Sequence, residues 1–424
     1  MKKIILSIVL CNTLLGIAQT TRGISNDVNW TRSWTNFKPK ITDYKESSNL
    51  LVGIISQNTT LYKKEIYLLT GTVYVTNGAT LTIEPGTVIR GDYETSGVLV
   101  ITKGSKIMAI GNETDPIVFT SNKASSQRRA GDWGGLILLG DSPTNDFTGR
   151  LDFNLEQRFN AYGGVNEESD SGILKYVRIE FAGKKAKDNK VLSALSLAGV
   201  GSKTVLDYIQ VSFSNDDSFG CYGGVLNLNN LISFRAMEDD YDFIEGTQCV
   251  IKNSIAVRNP YVSTSGKSRC FEIKSYDIAS NADLTKKLTN ITATNITLLN
   301  EENNDTGLIR EAVFVKENSF LSLSNSIVSG FNQCILLDAK IRTDFEDLKR
   351  IKLEKLLLNN CSGYIESENT ENNTQLKNWF NSDVFMIDFS KINNAEFFVE
   401  TDTKKTPDYR IKSNQKLTSS VVTN

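Results

Sequence analysis

Val75-Thr-Asn-Gly-Ala-Thr-Leu-Thr-Ile83 and Ile101-Thr-Lys-Gly-Ser-Lys-Ile-Met-Ala109 are the same line written twice, 26 residues apart. Each sets apolar residues around a turn glycine, Gly78 and Gly104. Repeats of this length built from short β runs belong to stacked coils, in which each repeat buries its apolar face only against its neighbours. Similar runs continue at Asp115–Ser121, Leu136–Leu139, Leu174–Phe181, Leu206–Phe213 and Leu228–Phe234. Asn253–Val257, Asn295–Leu298 and Asn325–Val328 then repeat an asparagine ahead of β-branched residues. Within each run apolar residues fall at every second position, the period of a strand with one buried face.

Ile209 to Leu231 is 22 residues and Leu231 to Ile255 is 24. Together with only six prolines and few helical patterns, this spacing predicts an all-β chain, a single-stranded right-handed parallel β-helix. Residues 71–365 leave room for roughly ten to twelve coils. A propeller needs repeats nearer 40 to 50 residues. The ends of such a stack are open sheet edges that need covering. Residues 19–70, with Trp30, Trp34 and Phe37, are expected to cap the N-terminal end. Residues 366–424, with Trp379, Phe380, Phe385, Phe389, Phe397 and Phe398, are expected to cap the other. An alternative use of Trp30 and Trp34 is stacking on sugar rings.

Met1-Lys-Lys, an apolar run from Ile4 to Ile17, and small residues Gly16 and Ala18 have the layout of a secretory signal peptide over 1–18. The expected location is therefore outside the cytoplasm: periplasm, outer-membrane associated, or cell surface. No later stretch has the roughly 20 consecutive apolar residues of a membrane-spanning helix. The 47 basic and 49 acidic residues nearly balance, so no global field favours nucleic acid. Past the leader, Cys221, Cys249, Cys270, Cys334 and Cys361 are odd in number, allowing at most two bridges; small buried hydrophobes are the simpler reading. The chain has no histidine, which removes the usual proton shuttle and the commonest transition-metal ligand.

Several of these lines resemble a known family. Gly78–Ile89, Asp115–Ser121, Gly131–Gly140, Tyr176–Gly183 and Gly199–Val205 are similar to the large secreted right-handed parallel β-helix proteins of Gram-negative bacteria, related in fold to pectin lyases. The resemblance implies the fold, and an envelope or surface location more than an activity.

Chemistry concentrates in an acidic pair of turns. Asn215-Asp216-Asp217 follows one strand and Glu238-Asp239-Asp240-Tyr-Asp242-Phe-Ile-Glu245 the next. Asp216 to Asp239 and Asp217 to Asp240 are both 23 residues, so stacking places these carboxylates about 5 Å apart. At an effective dielectric of 20 such charges repel by about 3 kcal/mol. A Ca²⁺ ion held by Asp216, Asp217, Asp239, Asp240 and Asp242 would offset this. So would a solvated turn bonded to local N–H groups. Carboxylates at this separation also suit acid–base work on a glycosidic bond. The Asn-Asp-Asp and later Asp-Asp loosely resemble polygalacturonase-type β-helix hydrolases, whose Gly-His-Gly element is absent. For lyase chemistry of this fold class, Arg235, Arg258 and Lys274 are the conceivable bases.

The polar stretch Asp141–Ser171, with Tyr162-Gly-Gly164, is long enough to project from a coil corner and cover the lateral face. Lys184–Lys190 reads as a solvated basic turn. The functional expectation is an exported, non-catalytic envelope or surface protein binding a glycan or an envelope or outer-membrane protein through its lateral face. The alternative is a carbohydrate-active lyase or hydrolase using the stacked aspartates.

Overall fold

The computed structural model describes residues 22–25, 28–151, 153–185, 191–263, 267–301 and 308–412. The expected leader and most of the basic run at 184–190 lie outside them. The chain is a parallel β-helix of three strand columns. One column is an eleven-stranded sheet beginning at Ile54–Ile55 and ending at Gly363–Ser367. The other two share a longer sheet, because the strands Gly172–Glu180, Val205–Ser212 and Val225–Phe234 bend from one column into the next. The bends fall at Tyr176, Tyr208 and Asn230, all with φ near the left-handed region. The repeated asparagines serve the same corner: Asn230, Asn253, Asn295 and Asn325 have φ between 49° and 59°. Asparagine tolerates that conformation better than most residues, and these side chains hydrogen-bond up the stack, Asn253 Nδ2 to Asn230 Oδ1 and Asn325 Nδ2 to Asn295 Oδ1.

The opening repeat holds as read: Val75 pairs with Ile101 and Ile83 with Ala109, with Gly78 and Gly104 both at positive φ. Ile209 pairs with Leu231, but Ile255 sits on Ile232, one residue later than the 24-residue spacing expects. Inward residues from Leu51 to Phe389 form one continuous apolar core. Cys221, Cys249, Cys270 and Cys334 are buried in it, and all five described cysteines are free thiols.

Parallel strands start at Asn49 and run to Ser390, so the stack takes in part of both stretches expected to cap it. The aromatic N-terminal segment does not cover an open end. It lies lengthwise along the outside of the stack. Arg22 meets Asp388 in the last coil at 2.6 Å, Ser25 N donates to Asn253 Oδ1, and Asn36 N donates to Gln210 Oε1. Arg128 then donates to the Thr42 carbonyl and Arg90 to that of Lys45.

The reason is that the sheet beneath is apolar on its outer face too. Ile232, Phe234, Ile255, Val257, Leu299, Ile327 and Leu357 pack with Trp34, Phe37, Phe397, Phe398 and Tyr409. Trp34 is fully buried edge-on to Tyr176 and Tyr208, which leaves no face for a sugar. At the C-terminal end the helix Asn373–Trp379 closes the core with Leu376, and Tyr364 packs on Phe380 and Phe389. Phe397 and Phe398 instead turn back to the lateral strap.

Truncating the buried indole should therefore act on many coils at once. Trp34→Ala is expected to cost about 3–5 kcal/mol, read as a lowered denaturant midpoint. An unchanged midpoint would show that the strap is not integral to the fold.

Candidate functional site

The coil register decides where the acidic residues go. Phe219 pairs with Tyr241 and Gly220 with Asp242, an offset of 22 rather than 23. Asp217 therefore lies over Asp239, whose backbone N donates to Asp217 Oδ1 at 3.0 Å. A one-residue slip sends a side chain to the opposite face, and Asp240 turns inward. It is fully buried against Arg258, with Nη1 to Oδ2 at 3.0 Å, and also accepts from Ser233 Oγ. Arg258 further donates to the Arg269 and Ala236 carbonyls. This pair braces the coil corner and reaches no solvent. Arg235 is likewise occupied, gripping Glu301 through two bonds of 2.8 Å.

The remaining aspartates line a lateral groove. Asp216, Asp217, Glu238, Asp239 and Asp242 share it with Arg269, Glu272, Lys274, Phe314 and Lys316. Asp242 pairs in register with Glu272, and Glu272 with Phe314, one coil apart each time. Lys274 Nζ bridges Glu272 at 2.7 Å, Asp277 at 3.2 Å and Asp242 at 3.4 Å, and Lys316 reaches Glu272 at 3.3 Å. The guanidinium of Arg269 sits 4.6 Å from the Phe314 ring centre.

Two carboxylate trios bring their oxygens within 4.8 Å of one another: Asp217, Glu238 and Asp239, and Asp239, Asp242 and Glu272. Asp216 and Asp240 belong to neither. The second trio is already served by Lys274 and Lys316, whereas the first offers hard oxygen donors of the kind Ca²⁺ takes.

Proton affinities follow the packing. Burial, then Asp216 and Asp242, holds the Asp217 carboxyl well above its usual range; burial, then Glu238 and Glu272, does the same for Asp239. Burial and Glu238 push Asp216 up to about 6. Burial pushes Asp242 up to about 7, although Lys274 pulls the other way. Glu272 goes down: burial opposes ionisation there, but Lys274 and Lys316 outweigh it. On Lys274 itself burial works downward, and Asp242, Glu272 and Asp277 more than reverse it.

A profile for a pectate-lyase-like beta helix domain matches residues 53–403. The chain belongs to this family of pectate-lyase-like β-helix proteins. No curated protein and no solved structure matches it. In this family member the groove lies along the outside of the eleven-stranded sheet, and the long 141–171 insertion is folded down beside it. Leu151 and Leu155 of the insertion pack on outward Val98, Val100, Ile137 and Leu139, and Glu156 N donates to Tyr74 Oη at 2.9 Å.

Glu272, Lys316, Arg269 and Phe314 are functional candidates that sequence reasoning missed, and Glu238, read as part of the acidic turn, was left out of the candidate Ca²⁺ set. Their signal was present: Glu272 and Lys274 lie two residues apart at one short strand, and Phe314 and Lys316 two residues apart at the next. Reading it needs the 42-residue offset between those strands, which a loop hides.

Glu245 adds a measurable consequence. Burial pushes its carboxyl up to about 7, against the hydrogen bond it accepts from Tyr162 Oη. The folded state therefore holds a proton that the unfolded chain releases near the ordinary carboxylate value. That stability is complete below the unfolded pKa and is lost as pH rises through about 7. With EDTA present, melting temperature is expected to fall between pH 5 and pH 8, and Glu245→Gln should make the fall shallower, Asp216 and Asp242 supplying the remainder. An equally steep fall in the variant would assign the pH dependence to other groups.

Proposed function

We propose that this pectate-lyase-like β-helix protein binds a polysaccharide lying in the lateral groove between Asp217 and Lys316. The observation that supports it is the groove's composition. It sets carboxylates, which accept from sugar hydroxyls, opposite Arg269, Lys274 and Lys316, which donate, beside the Phe314 ring. Aromatic faces with polar edges suit rings that are apolar on one side and hydroxylated at the rim. The basic head and apolar run of residues 1–18 support an exported protein at the cell envelope or surface, where such chains are met.

A second reading, hydrolysis of the bound glycan, is favoured by one observation. Asp242 and Glu272 stack on adjacent coils, yet the first is pushed up to about 7 and the second down. Environments that drive two carboxyls apart in this way separate an acid from a base, and their close approach suits a retaining arrangement. Ca²⁺ enters as part of the proposal at Asp217, Glu238 and Asp239.

Three measurements test these readings. On a panel of neutral and uronate polysaccharides, wild type is expected to be retained by at least one, and Phe314→Ala to bind that one about tenfold more weakly, about 1.4 kcal/mol. Retention by none would sink the binding reading. With a retained glycan, release of new reducing ends that disappears in both Asp242→Asn and Glu272→Gln would establish hydrolysis; no release from wild type would remove it. In melts, millimolar Ca²⁺ after EDTA should raise the melting temperature of wild type but not of Asp217→Asn/Asp239→Asn. Equal responses would place the ion elsewhere.

A further inference from the structure

Asp242 borders a second cleft on its other side. There the 141–171 insertion meets the segment after Ser275 over the same sheet, and together they enclose a volume of about 600 Å³. That lies within the range of small-molecule sites. The roof is fastened rather than draped: Asn145 N donates to the Glu245 carbonyl at 3.0 Å, Asp283 N to that of Asn145 at 2.7 Å, and Phe147 N to that of Asn281 at 3.0 Å. Tyr162, Tyr222 and Tyr276 contribute to its walls.

What distinguishes the cleft is a surplus of buried acceptors. Asn145 is 1 % exposed; its Nδ2 donates to the Ser275 carbonyl at 3.1 Å, and its Oδ1 has no hydrogen-bond partner. Asp242 is 6 % exposed and its Oδ1 also lacks one, the Lys274 ammonium standing 3.4 Å away. Glu245 lines the same cleft as a third acceptor, its Oε2 already taking the hydroxyl of Tyr162. Arg150 also lines the cleft, but it is committed within the insertion, donating to the Gln157 carbonyl and Asn160 Oδ1 at 2.7 Å each. Buried acceptors without donors are costly, and each calls for an explanation.

We propose that this cleft is a subsite for an amino-sugar unit, whose protonated primary amine donates to Asn145 Oδ1, Asp242 Oδ1 and Glu245. An ammonium carries three donors and no acceptor, matching a cleft lined by three acceptors. Acetylation would leave one donor, add a carbonyl acceptor, and remove the charge. The inference deepens the glycan reading by naming a sugar class, and rests on it for the rest of the polymer; recognition of the amine itself does not require the groove.

The test is calorimetric titration of the full chain with a glucosamine tetramer and with its fully N-acetylated counterpart. The free-amine tetramer is expected to bind wild type at least tenfold more tightly than the acetylated one, and to lose at least tenfold on Glu245→Gln. Asp242→Asn, which keeps the side chain's size, should weaken it in the same direction if Glu245→Gln proves unstable. Equal affinity for the two tetramers, no binding of the amine form, or wild-type affinity in the stable carboxamide variants would overturn the proposal. Phe314→Ala separates it from the groove. Amine binding that survives Phe314→Ala but falls with Glu245→Gln supports the cleft whatever becomes of the groove. Loss only with Phe314→Ala would overturn the cleft and leave the groove reading standing.

Discussion

Every coil of this protein must place its backbone in parallel register on the one below, about 4.8 Å away, and the rest of the structure follows from that constraint. A position that faces inward in one coil has an inward neighbour in the next, so apolar residues form a continuous core from Leu51 to Phe389. Side chains that gain from stacking gain repeatedly. The rings of Tyr176 and Tyr208 lie 4.4 Å apart, and the corner asparagines bond to one another up the column. The same rule penalises like charges, since carboxylates on successive coils cannot move apart without breaking the ladder.

The structure meets that penalty in different ways on the two faces of one turn. Asp240 is taken inside and neutralised by Arg258, an arrangement in which removing either partner would strand a buried charge. Asp217, Asp239 and Asp242 stay on the outer face, where Lys274 and Lys316 from later coils reach back across Glu272. The groove's mixture of charges is thus a consequence of stacking as much as of any ligand. What the stacking does not require is the split between Asp242 and Glu272, or the acceptors left open beneath the 141–171 insertion.

The lateral surfaces show the same economy. A sheet with apolar residues on both faces needs cover outside as well as inside. One face receives the N-terminal strap with Trp34 and Phe37, and another receives the insertion with Leu151 and Leu155. The first three strands, Asn49–Leu51, Ile54–Ile55 and Thr59–Leu61, each pair on one side only among the described residues. Leu50, Val52 and Ile54 stand exposed there.

The sequence by itself determined the β-helix. Alternation at every second residue, recurring at coil length, has no other economical solution, and it also marked the asparagine corners and the acidic turns. Tertiary structure decided the rest, because coil length varies: the offset is 22 residues between Gly220 and Asp242 but 42 between Glu272 and Phe314. A single residue of offset moved Asp240 from the groove to the interior and put Asp217, not Asp216, over Asp239. Likewise nothing in Trp30 to Phe37 says whether aromatic side chains cover the end of a stack or its flank. That depends on where apolar outer faces lie, and those faces exist only once the coils have been stacked.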